Sequence, residues 1–104
     1  MVNPKLKDAQ MDMLCQAVLK LETVEEGYQF FEDICTISEL KAIAQRFAVA
    51  CMLRAGHTYD DILAETGAST ATISRVKRCL NYGADGYNLV LDRLQADKAD
   101  RQKS

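Results

Sequence analysis

Apolar residues recur at steps of three and four along most of the chain, and no stretch sustains the apolar–polar alternation of a half-buried strand. From Asp8 to Leu21, the residues Met11, Leu14, Cys15, Val18, Leu19 and Leu21 keep this spacing, which predicts a first amphipathic helix. Thr23-Val24-Glu25-Glu26 then reads as a capping box: the threonine hydroxyl accepts from the amide three residues on, and Glu26 reaches back to the threonine amide. The helix it opens stops near Cys35 and buries Tyr28, Phe31 and Ile34 on one stripe. Thr36-Ile37-Ser38-Glu39 repeats the box and starts a third helix running to Ala55. Gly56 closes it, because a residue without Cβ suits the left-handed position after a helix end.

That third helix is apolar around most of its circumference, through Leu40, Ile43, Ala44, Phe47, Ala48, Ala50, Cys51 and Leu53. A helix without a broad polar face is buried on several sides, so this one belongs at the centre of the domain or at the centre of a dimer. Thr58 to Thr66 forms a short fourth helix, Gly67-Ala68 a turn, and Ser69 to Leu80 a fifth helix. After Gly83 and Gly86 comes a last apolar run of Tyr87, Leu89, Val90, Leu91 and Leu94. The expectation is one all-α domain over residues 1–95, followed by a polar tail, 96–104, that frays.

Residues 57–82 carry the most specific pattern. Two short helices joined at a glycine form a helix-turn-helix over about 58–80, with Ile62, Ala68, Ile73 and Val76 where the helices must touch. Burying Ile73, Val76 and Leu80 leaves Thr70, Ala71, Ser74, Arg75, Lys77 and Arg78 facing outward. Small hydroxylated residues at the start of the second helix allow close approach to base edges.

Charge distribution supports that reading where the total does not. The 104 residues sum to a net charge of −2, yet residues 69–82 hold three basic and no acidic side chains, while 22–39 hold six acidic and no basic ones. Neutralisation of phosphate is a local matter, so the basic face counts for more than the total. No run approaches the roughly 18 apolar residues of a membrane span, and the opening residues lack a signal's apolar block; a cytoplasmic protein with no membrane partner is expected. Cys15, Cys35, Cys51 and Cys79 are isolated, and His57 is the single histidine, a pattern expected of buried small hydrophobes and of no metal site. Met11, Met13 and Met52 read as core residues in the same way. His57 beside Gly56 reads as a helix-end residue. No nucleophile or acid–base pair has a compelling spacing, so no enzyme is expected.

Thr36-x-x-Glu39-x-x-Ala42, Arg46, Leu53-Arg54-x-Gly56, Glu65-x-Gly67-Ala68 and Ala71-Thr72-Ile73-Ser74-Arg75 together resemble the Trp repressor superfamily, and within it the Trp-repressor-related YerC/YecD family. The resemblance implies an all-α, six-helix intertwined homodimer with two helix-turn-helix reading heads. It implies that Arg46 and Arg75 match the two arginines that clasp the corepressor, and that Thr36 and Cys79 stand near that pocket. Val76 and Cys79 replace the family's glycine and serine, which argues against tryptophan as the small-molecule corepressor. No other cofactor is implied. The alternative for Arg46 is an ion pair with Glu39 or Glu65.

By the same resemblance, Thr70, Ala71 and Ser74 match base-approaching positions and Thr72 a phosphate-contacting one. Asp60 and Leu63 replace basic residues of the motif's first helix, so a different operator is implied. A carboxylate at 60 repels phosphate or accepts from a cytosine amine. The function expected is a sequence-specific transcription regulator, a repressor, that binds double-stranded DNA as a homodimer through Ser69, Thr70, Ala71, Thr72, Ser74, Arg75, Lys77 and Arg78. The alternative is a helical protein–protein interaction module that does not bind DNA, with the acidic stretch 22–39 as a second contact surface.

Overall fold

The structure, a computed structural model, describes residues 2–103. Among the described residues there are six α-helices and no strands, preceded by a single 3₁₀ turn at Pro4–Leu6. The helices are α1 (Ala9–Val18), α2 (Val24–Ile34), α3 (Ile37–Arg54), α4 (Tyr59–Thr66), α5 (Thr70–Tyr82) and α6 (Gly86–Lys103). They fall into two units, Val2–Ile43 and a second that begins at Ala44, with α3 contributing to both.

In the first unit, side-chain caps define the helix starts. Asp8 accepts the Met11 amide at 2.8 Å, and Thr23 accepts the Glu26 amide at 3.1 Å. The return bond of the α2 box differs from expectation: the Glu26 carboxylate accepts from the Glu22 amide at 3.0 Å, one residue before the threonine. The α3 box closes as expected, with Glu39 N–H on the Thr36 hydroxyl at 3.1 Å and Thr36 N–H on the Glu39 carboxylate at 2.8 Å. These bonds hold the Glu39 carboxyl below the usual carboxylate range, the backbone bond from Thr36 acting most strongly.

α1 ends at Val18, not Leu21. The Lys20 and Leu21 amides bond three residues back, to Ala17 and Val18, so the last turn tightens and turns the chain toward the Thr23 cap. No described residue of Val2–Ile43 is fully buried. The expected α2 stripe is split: Phe31 is half-buried, whereas Tyr28 is 71% exposed and Ile34 51%. Met13 and Cys15 are also exposed rather than core, while Met11 is half-buried.

The second unit contains the fully buried core: Val49 and Ala50 of α3, Ile62 of α4, Ala68 of the turn, and Ile73 and Val76 of α5. Met52, Leu53, Tyr59, Leu63, Leu80, Tyr87 and Leu91 pack around it. α3 is not enclosed on all sides, since Ile43 and Ile37 stay exposed. Cys51 is half-buried and Cys79 exposed, so half of the cysteines, Cys15 and Cys79, lie at the surface of the chain.

α3 ends in a Schellman motif at Gly56, φ +88°. Gly56 N–H bonds Leu53 C=O and His57 N–H bonds Met52 C=O, both at 3.1 Å. His57 is therefore a helix-end residue, as expected, and exposed. α6 runs through the polar stretch expected to fray, as far as Lys103. An Arg54–Asp92 ion pair and an Arg54 Nη1–H bond to Asn88 C=O at 3.1 Å tie α6 to α3, and Asn88 Nδ2 donates to Leu80 C=O at 3.0 Å.

Candidate nucleic-acid interface

The bend between α4 and α5 leaves few backbone groups unpaired. Gly67, at φ +70°, caps α4, and its N–H bonds Leu63 C=O at 3.0 Å. The Thr66 hydroxyl donates to Ile62 C=O at 2.7 Å and accepts from Ala68 N–H at 3.1 Å, while Gln45 Nε2 donates to Thr66 C=O at 3.1 Å. Ala68 is then buried, and the chain re-enters helix at Ser69, whose hydroxyl accepts the Thr72 amide at 3.1 Å. The angle of α5 is thus fixed at both ends of the turn.

Ile73 and Val76 turn fully inward, and Leu80 is half-buried beside them. With that face committed, Thr70, Ala71, Ser74, Arg75, Lys77 and Arg78 are all exposed. Residues 71, 74, 75 and 78 follow the three- and four-residue steps of a single helix face. No carboxylate pairs with Arg75 or Arg78 among the described residues. Lys77 is partly engaged: its Nζ lies 5.7 Å from the centroid of the Tyr59 ring, a cation–π contact between α5 and α4. Asp60 is exposed near the start of α4, whereas Leu63 packs on the core and belongs to no outward face.

The residues matched to a corepressor site fall in both units. Thr36 belongs to the first unit, where its hydroxyl caps α3. Cys79 lines an apolar cavity of about 470 Å³ with Phe47, Ala84, Gly86, Tyr87 and Val90. Phe47 and Tyr87 stack there at 6.4 Å between centroids. Burial pushes the Tyr87 phenol up, Cys79 adds to the rise, and the Arg46 charge opposes it, so Arg46 and Cys79 both act on this corner. Arg75 does not line that cavity, and Val76 fills the core. Arg46 forms no ion pair with Glu65 among the described residues, and the Glu39 carboxylate is taken by the Thr36 amide.

Tyr59 under Lys77, and the Gln45 and Arg54 ties, have no counterpart in the sequence pattern. Partners 18, 21 or 38 positions apart leave no local spacing signal.

The sequence profile described as Trp repressor protein matches residues 9–95. The chain belongs to the Trp repressor family. It is 54% identical over 96 residues to the uncharacterized protein YerC of Bacillus subtilis, covering 92% of each. Two solved structures share its fold: a candidate Trp repressor from Staphylococcus aureus and a TrpR-like protein from Eubacterium eligens. The first has TM-score 0.86 and 52% identity over 91% of this chain and 95% of that one. The second has TM-score 0.85 and 57% identity over 89% and 96%. In this chain the buried Ile62, Ala68, Ile73 and Val76 hold α5 against α4 and the turn.

Proposed function

We propose that the chain is a homodimeric transcription regulator, a repressor, that lays α5 of each subunit in successive major grooves of duplex DNA. The observation that carries this reading is the outward face of α5: small and hydroxylated at Thr70, Ala71 and Ser74, cationic at Arg75 and Arg78, and free of carboxylates. Small side chains let the helix reach base edges, and unpaired guanidiniums suit phosphate or guanine. Membership of a family named for a repressor supports the same reading. Thr72 and Lys77 flank the face as phosphate contacts, and Ser69 sits at its start.

The homodimer is supported by the first unit. Leu19, Val24, Tyr28 and Ile37 are 82, 80, 71 and 74% exposed in the single chain, an apolar surface that a second copy would cover. Two reading helices then address half-sites about one helical turn apart.

The test is the salt dependence of binding to a labelled duplex. Arg75→Ala/Arg78→Ala removes two cations from each of two subunits. The slope of log K against log salt should become shallower by up to about 3.6, at about 0.9 for each phosphate no longer neutralised. An unchanged slope would contradict the assignment.

A further inference from the structure

Residues of α3, α4, α5 and α6 surround an open cleft of about 490 Å³, within the range of small-molecule sites, roughly 300–1,000 Å³. Its walls are tied to one another. Arg54 pairs with Asp92 and donates to Asn88 C=O at 3.1 Å, Asn88 Nδ2 donates to Leu80 C=O at 3.0 Å, and Lys77 Nζ lies 5.7 Å from the centroid of the Tyr59 ring. A cleft braced in this way is formed before a ligand arrives, which lowers the ordering cost of binding.

The lining groups left over are donors. The side chains of His57, Lys77 and Asn81 are exposed and make no hydrogen bond or ion pair among the described residues. Lys77 and Asn81 stand four residues apart and so share one face of α5, and His57 lines the same cleft from the α3–α4 junction. No carboxylate lines the cleft among the described residues, and Asp92 offsets only Arg54, so the Lys77 ammonium is left without a counter-charge. His57 keeps one N–H donor even when neutral. We propose that this cleft binds a small phosphate-bearing molecule, its phosphate on Lys77, Asn81 and His57 and its body against Leu53, Leu80 and the Tyr59 ring. A lysine ammonium serves phosphate as a point charge, and a phosphate offers more acceptor oxygens to converging donors than a carboxylate does. Lys77 is the one group that the cleft shares with the DNA reading above, and the anion site stands whether or not α5 reads DNA.

The experiment is calorimetric titration of the full chain, without DNA, with pyrophosphate and with acetate at one fixed ionic strength. Pyrophosphate should bind the wild type, and acetate should bind at least about tenfold more weakly. Lys77→Met keeps the stem of the side chain and removes its charge, and should weaken pyrophosphate binding at least about tenfold, the loss expected for one charged hydrogen bond. Asn81→Asp brings a carboxylate to the cleft without touching Lys77 and should weaken it to a similar extent. Arg75→Ala/Arg78→Ala removes the cations of the outward face of α5 and should leave the affinity unchanged.

No binding of pyrophosphate to the wild type would overturn the proposal, and so would affinity that survives both Lys77→Met and Asn81→Asp. Affinity lost in Arg75→Ala/Arg78→Ala would overturn it as well, since the anion would then sit on the outward face of α5. Equal binding of acetate would overturn the assignment to phosphate. None of these results bears on duplex binding, which the salt-slope experiment reads separately.

Discussion

Glu39 and Gly67 are two residues whose roles follow from single geometric facts. The Glu39 carboxyl is lowered by the Thr36 bonds, so the charged form is favoured in the folded chain more than in the unfolded one. The stabilisation is complete at neutral pH and is lost as pH falls through the lowered folded value. Urea unfolding of wild type and Glu39→Gln should therefore differ most near neutrality, and the two curves should converge in acid. A difference independent of pH would contradict the capping account. Gly67 holds φ +70° with open space where a Cβ would stand, so Gly67→Ala meets no clash and costs only the backbone conformation, about 1–2 kcal/mol. Its denaturation midpoint should fall accordingly, and Gly67→Asn should lose less.

Among elements, α4 and α5 meet through the buried core that they share with α3. Ile62 and Ile73 are fully buried, so Ile73→Ala should cost about 2–5 kcal/mol and Ile73→Val about 0.5–1.5. The Arg54–Asp92 pair between α3 and α6 is exposed on the aspartate side and should contribute under about 1 kcal/mol, read as the small midpoint change in Asp92→Asn. This contrast also explains what is legible in the sequence. The Thr23 cap, the Thr36 capping box, the glycine stops at 56 and 67, and the buried positions 62, 68, 73 and 76 are local signals, and the structure has them; the return bond of the Thr23 box falls on Glu22 instead. The end of α1 is not legible, because Leu19 and Leu21 continue the apolar rhythm after the backbone has turned. The polar stretch after Leu94 misleads the other way, since α6 continues there without an apolar face to mark it. Of the candidate interface, the outward residues of α5 follow from periodicity, while the hold of Tyr59 on Lys77 and of Ser69 on Thr72 is visible only in three dimensions.

For the whole molecule, the exposed apolar surface of Val2–Ile43 is the feature that the single chain does not explain. The sequence stripe through Tyr28, Phe31 and Ile34 calls for burial that one chain does not provide, and a second copy would supply it. In solution the mass should be twice the 11.6 kDa of one chain, and Tyr28→Glu should shift light scattering toward the monomer. A monomer already in the wild type would remove the symmetric half of the proposal. The net charge of −2 coexists with a basic α5 and an acidic stretch at 22–39, so long-range attraction to DNA should be weak and binding should depend on the local face. The central claim is that two copies of α5 read duplex DNA together, and selection of bound fragments from the organism's own genomic DNA tests it most directly. The account predicts an enriched, two-fold symmetric motif whose half-sites lie about 10 base pairs apart. Recovery of fragments with no common motif, or of none at all at low salt, would contradict it.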